Sequence, residues 1–301
     1  MIVSVIAAAG VRASVGGATE RFVDDRALES VPLRVRKTMS RGAVLATAAM
    51  HQLVGALPAG ALRDAGCFVG VGASGGAVSE LHAMLRASTV DGAWSLARFG
   101  GAGLAACNPL LAFQLMNNFT MAHAAIQAGV GTGVHGALFS RGAGTVHALA
   151  EAVAAVSDGD AAVAIAGGAD SALHPVTRAE LDRMHAWSGV PGEGAALVAV
   201  ARGEGIARIV GCRVIEVEAR AATALPEGAI VAITDAALRA VIADRAEVLD
   251  VSAALGECLA AGPALAWLCA LDLLAGGAER IAVVTADVDG ALGIVELERA
   301  S

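Results

Sequence analysis

Seven histidines, five cysteines and one serine ahead of a helical stretch are the residues of this 301-residue chain best equipped for chemistry. Ser140 stands just before the alanine-rich stretch Gly144–Val156. A hydroxyl there lies near a helix N-terminus, whose free N–H groups can stabilise an oxyanion. With His135 or His147 as general base, Ser140 would serve as a nucleophile for acyl transfer or hydrolysis. Its neighbour Arg141 argues against that chemistry. A cation at the positive end of a helix dipole calls for a carboxylate or ligand anion to offset it.

The other candidates read as packing or surface residues. His51, His82, His123, His135, His147, His174 and His185 lack metal-ligand spacing such as HExxH, so no metal site is expected. His123 sits in an apolar helical stretch and reads as a satisfied core residue rather than a ligand. Cys67, Cys107, Cys212, Cys258 and Cys269 are odd in number, widely spaced and free of any CxxC pair, which fits reduced core thiols.

Composition narrows the classes of function. The chain is 56% hydrophobic, 17% charged and 3% aromatic. Its apolar share exceeds the roughly 45–50% of an ordinary soluble domain, which points to surface buried against another subunit. A net charge of −8 argues against a nucleic-acid partner, because phosphate binding needs clustered cations. The opening Met1-Ile-Val-Ser-Val-Ile-Ala-Ala-Ala-Gly10 lacks a basic n-region and breaks at a glycine too early to span a bilayer. It is expected to be a buried first strand of a cytoplasmic protein without membrane insertion.

These residues must be positioned by alternating strands and helices. Ile2–Ala9, Cys67–Val71 and Ala161–Ala166 have the apolar runs of strands covered on both faces. Gly42–Gly55, Met116–Ala128 and Gly144–Val156 have helical spacing. After Gly189 the pattern restarts with strands at Ala195–Ala201, Ile206–Glu218, Ile230–Ile233, Glu247–Val251, Ile281–Thr285 and Gly293–Leu297. Helices are expected at Asp235–Ala243 and Gly262–Leu274. The order implies an α/β fold with largely parallel strands, and no linker separates the two parts. Hydrophobic pattern alone leaves a doubly wound sheet as an alternative to a layered body.

The stretch Asn108-Pro109, Asn118, His123, Gly129, Gly144, Gly159-Asp160-Ala161 and Ala166-Gly167-Gly168-Ala169-Asp170 resembles the central block of β-ketoacyl synthases. Phe68-Val-Gly-Val-Gly-Ala-Ser-Gly-Gly76 resembles that family's early glycine-rich strand and loop, and Gly192-Glu-Gly-Ala195 its GEGA strand. Each glycine group alone would equally suit a tight turn. The resemblance implies a thiolase-like fold with two similar βαβαβ-type halves in an α-β-α-β-α arrangement. These are a half over residues 1–190 and a shortened C-terminal half over 191–301.

The same resemblance implies that the chemistry has been lost. Counting back from Gly144, the family's nucleophilic cysteine position holds Arg141, which stays protonated and forms no acyl enzyme. The first family histidine would fall near Ile230–Asp235, where there is none. The later lysine and histidine positions resemble Ser252 and Glu257, and the phenylalanine gate near Asp289–Gly293 has no phenylalanine. Ser188–Gly192 and the region after Arg220 are compressed relative to condensing enzymes. Arg141 would then block the vestigial pocket or pair across an interface, unless it is simply an exposed loop residue.

Among relatives, the chain-length factor of type II polyketide systems keeps the fold without the cysteine. That resemblance implies a heterodimer with an active ketosynthase that receives acyl groups from acyl carrier protein, and no cofactor in this chain. Leu110, Phe113, Met116, Asn118, Phe119 and His123 fall where the family forms its dimer interface and acyl-tunnel floor. Plain core packing is the alternative for that segment.

Overall fold

The computed structural model describes residues 2–13, 15–16, 19–73, 75–130, 133–184, 189–215, 225–242, 247–287 and 290–300. The apolar runs form one mixed sheet from β1 (Val3–Arg12), β2 (Gly66–Val71), β3 (His135–Phe139), β4 (Val163–Ser171) and β5 (Glu193–Arg202), then β6 (Ala207–Ile215), β7 (Ile230–Ile233), β8 (Val248–Asp250), β9 (Arg280–Ala286) and β10 (Leu292–Arg299). Their spatial order is β8-β7-β9-β10-β6-β1-β5-β4-β2-β3.

That order contains a duplication. Strands β2, β3 and β4 are parallel, while β5 runs antiparallel between β4 and β1. Strands β7, β8 and β9 are likewise parallel, with β10 antiparallel between β9 and β6. Each half therefore follows the spatial order third, second, fourth, fifth, first. The halves join edge to edge through β1 and β6, where Ser4 pairs with Arg208 and Val5 with Ala207.

The alternation of side chains along each strand builds the layers. Ile165 and Leu197 face outward to pack under α1 (Arg41–Gly55), against Leu45 and Met50, and under α4 (Asn118–Ala128), against Met121. Their neighbours Ala166 and Val198 face inward to α5 (Gly142–Asp158) and α8 (Gly262–Ala275), which meet Val283 and Val295 of the second half. On the far face, Ile233, Val284 and Ile294 are covered by Leu238 and Ile242 around the four-residue α7 (Leu238–Val241). The result is the α-β-α-β-α stack, with a thin last layer.

Several expected elements shift. The strand expected at Ala195–Ala201 is β5, and it pairs with β4 and β1. In strand order the repeat restarts at β6, after β5 ends at Arg202. The expected helix at Met116–Ala128 is α4, which begins two residues later because Met116 is extended (φ −88°, ψ 117°) after α3 (Leu111–Leu115), a helix that was not expected. Strand β3 and the helices α2 (Val78–Ala87) and α6 (Pro175–Arg183) were not expected. The expected helix Asp235–Ala243 contracts to α7. Residues 216–218 of the expected strand Ile206–Glu218, together with His185, Ser188 and Asp289, lie outside the described residues.

Candidate functional site

The site is a sharp turn from β3 into α5. Ser140 follows the strand, its N–H bonding Val71 O at 3.3 Å, and Arg141 is the N-cap residue of α5 without a side-chain cap of its own. The turn requires glycine at position 144, where a Cβ would lie 2.7 Å from Ser140 Cβ and 3.0 Å from Leu138 O. Ser140 and Arg141 therefore sit on a tight elbow at the start of a buried helix.

The cap comes from the other half of the chain. Asp287, one residue beyond β9, accepts the Ser140 hydroxyl and the Ala143 N–H, the latter at 3.3 Å, through Oδ2. This is the carboxylate that a cation at a helix N-terminus demands. Arg141 itself is half-buried, and among the described residues its guanidinium makes no hydrogen bond or ion pair. Burial lowers its pKa, while the fields of Asp287, Asp170, Glu180 and Glu257 hold the cation charged.

Asp170 stands at the end of β4 and is 4% exposed. It accepts Ser171 N–H at 2.8 Å and Ala260 N–H at 3.3 Å. Burial pushes its carboxyl from the ordinary 3.8 up to about 7, opposed by those two bonds and by Arg141. It packs so closely on Gly72 that a Cβ there would lie 1.7 Å from Oδ2.

Two cavities meet at Arg141. One, of about 30 Å³, is bordered by Thr234, Asp235, Glu257 and Thr285. It brings Glu257, with Thr234 and Asp235 of the Ile230–Asp235 segment, to the same cavity as Arg141. Buried Glu257 is fixed through its backbone, donating to Val190 O at 2.7 Å and accepting from Gly192 N at 3.0 Å. The other, of about 310 Å³, has Phe139, Leu181, Met184 and Leu259 as apolar walls and Arg141, Asp170, Glu180 and Asp287 as its charged lining. Ser252 is elsewhere, donating to Asp250 Oδ1 at 2.6 Å.

The aromatic segment forms a separate feature. Phe113 on α3 and Phe119 on α4 meet edge to face at 4.9 Å, and Phe119 stacks on His123 at 5.7 Å. His123 is half-buried, its Nε2 lies 3.1 Å from Thr38 O, and burial lowers its pKa, as for a packed neutral imidazole. Leu110, Phe113, Met116 and Asn118 are exposed and line neither cavity.

No described histidine serves Ser140. His135 Nδ1 lies 3.2 Å from Gly133 O at the opposite end of β3, and His147 is exposed on α5. Burial pushes the Cys67 and Cys212 thiols up to about 12 and Cys258 higher still, so these are unreactive core thiols. Among the described residues no side-chain group could hold a metal, and no helix is long and apolar enough to cross a membrane. Asp287 and Glu180 were not identified from sequence. The only signal was the need for a carboxylate near Arg141.

No protein-family model and no curated protein matches the chain. Solved structures do. One is a chain of the complex described as a type II polyketide synthase acyl-carrier protein with its ketosynthase bound to the hexaketide, at 12% identity, TM-score 0.78 and 99% coverage of both chains. Another is the ishigamide ketosynthase/chain length factor, at 17% identity, TM-score 0.77 and full coverage of both chains. A third is a β-ketoacyl synthase from Burkholderia phymatum STM815, at 15% identity, TM-score 0.77 and full coverage of both. The chain thus has the thiolase-like fold of the ketosynthases.

Proposed function

We propose that this protein is a non-condensing ketosynthase-like subunit of the chain-length-factor type, which pairs with an active β-ketoacyl-ACP synthase and shapes its acyl tunnel. The observation that carries this reading is the elbow, where Arg141 stands at the N-terminus of α5 and lines one cavity with Glu257; in this reading the two replace the family's thiol and imidazole. A guanidinium cannot form an acyl enzyme, and an ionised carboxylate cannot donate to a thioester carbonyl as neutral histidine does.

The surface supports a partner. Edge strand β3 presents His135-Gly-Ala-Leu-Phe139 without a formal charge, and Phe139 is 65% exposed. Exposed Leu110, Phe113, Leu115 and Met116 add further apolar surface. The opposite edge, β8, is only three residues long and carries the Arg239–Asp250 pair, a blunted edge of the kind that resists pairing. In this reading Leu110, Phe113, Met116, Asn118, Phe119 and His123 lie at the interface, and bulky members cap the partner's tunnel. The partner supplies the thiolate and receives acyl groups from acyl carrier protein in polyketide, polyene or fatty-acid-like synthesis in the cytoplasm.

Co-expression with an active β-ketoacyl-ACP synthase from the same organism, followed by size-exclusion chromatography with mass determination, tests the proposal. A stable one-to-one complex is expected. A homo-oligomer that ignores the synthase would overturn it. The Ser140 acyltransferase or hydrolase reading draws support from the elbow alone, and labelling of Ser140 by a serine-reactive probe would favour it.

A further inference from the structure

We infer that Arg141 and Asp170 form a proton-controlled latch. The pair is open while Asp170 carries a proton, and loss of that proton draws the Arg141 guanidinium onto the carboxylate, tying the start of α5 to the end of β4. Both side chains line the larger cavity at the elbow, whose volume of about 310 Å³ leaves the guanidinium room to move. Asp170, with Gly72 and Ala73, also borders a cavity of about 20 Å³ that has Arg41 in its lining. One buried carboxyl thus stands between two guanidiniums.

The hydrogen bonds decide which of the two can answer it. Asp170 is 4% exposed and accepts the Ser171 and Ala260 backbone N–H groups, with no ion pair among the described residues. A carboxylate buried without a counter-ion is strongly disfavoured, so its ionisation and its pairing come together. Arg41 is already held, donating to Glu193 Oε1 at 2.6 Å and Val23 O at 3.0 Å. Arg141 has no such commitment among the described residues and lines the same cavity. Burial pushes the Asp170 carboxyl up to about 7, which places the change near neutral pH.

The other charged groups around Asp170 leave this pairing in place. Asp287 accepts the Ser140 hydroxyl and the Ala143 N–H, and Glu193 is taken by Arg41 and the Ser171 hydroxyl. Glu180 is exposed on α6, where water screens it. Glu257 lines the cavity of about 30 Å³, and burial keeps the neighbouring Cys258 thiol protonated. His174 Nε2 lies 3.0 Å from Gly76 O and its Nδ1 accepts the Val176 N–H at 3.3 Å, the pattern of a neutral imidazole. The latch lies wholly within this chain, so its test separates from that of the partner-subunit reading.

NMR titration of the full chain across neutral pH tests the inference. It follows the Asp170 carboxyl carbon, assigned by its loss in Asp170→Asn, and the Arg141 Nε–H, assigned by its loss in Arg141→Gln. Both signals are expected to shift together with one midpoint near 7, and the Arg141 N–H is expected to exchange with water more slowly above it. Asp170→Asn is expected to leave the Arg141 signal flat, and Arg141→Gln to raise the Asp170 midpoint by about one pH unit or more. His174→Gln removes the other group able to change charge near neutrality and is expected to leave both titrations in place. An Arg141 signal that stays flat in the wild type, one that shifts equally in Asp170→Asn or is lost with His174, or an Asp170 midpoint unmoved by Arg141→Gln would overturn the latch.

Discussion

Asp287 accepts the hydroxyl proton of Ser140 across 147 residues of sequence, and the same carboxylate oxygen takes the Ala143 N–H. One side chain therefore ties the second half of the fold to the first turn of α5 and fills the place where an oxyanion would bind. Asp287→Ala is expected to cost about 1–2 kcal/mol, the scale of a lost helix cap. Urea unfolding measures it, and an unchanged midpoint would remove Asp287 from this role.

The same arrangement sets what a thiol placed at position 141 would do. A thiol introduced by Arg141→Cys would sit at a helix N-terminus whose positive end is already occupied by Asp287, with Asp170 and Glu257 nearby. The carboxylates raise a thiol pKa and the capped dipole does little to lower it. Iodoacetamide alkylation is therefore expected to rise around pH 8.5 or above, as for a free thiol. A reactive thiolate near pH 6 would mean that the elbow retains its activating field.

Asp170 gives the fold a pH dependence with a definite sign. Its folded pKa of about 7 lies above the ordinary 3.8, so the native state holds the proton more tightly. Stability is full below about pH 4, falls as pH rises toward 7 and is level beyond. At about 1.4 kcal/mol per unit, a rise of about three units corresponds to a loss on the order of 4 kcal/mol. Asp170→Asn is expected to flatten the pH 4–7 slope of unfolding free energy by that order. Parallel slopes for the two proteins would show that Asp170 titrates normally.

Much of the frame was legible in the sequence because buried strands and helices announce themselves by apolar period. The elbow was legible through Gly144 and the helix that follows. Strand β3 was not, because His135-Gly-Ala-Leu-Phe139 has no β-branched residue and takes its strand character from pairing with β2. The break at Met116 was hidden because α3 and α4 share a continuous apolar pattern. Asp287 escaped notice because its role depends on the approach of β9 to α5, a tertiary contact with no local signature.

The apolar segment around that break makes the last prediction. Phe113 and Met116 are 37% and 49% exposed, although Phe113 packs edge to face on Phe119. Rings and thioethers left in water gain by burial against another subunit, at roughly 25 cal/mol per Å² covered. If they cap the partner's tunnel, Phe113→Ala and Met116→Ala shorten the stopper and lengthen the acyl chains released by the complex. Because both side chains are already partly exposed, the isolated variants are expected to fold with stability lowered by about 1–2 kcal/mol. Product analysis by mass spectrometry on the purified complex is the measurement. Unchanged products from a stable variant complex would place these residues in the interface without a role in chain length.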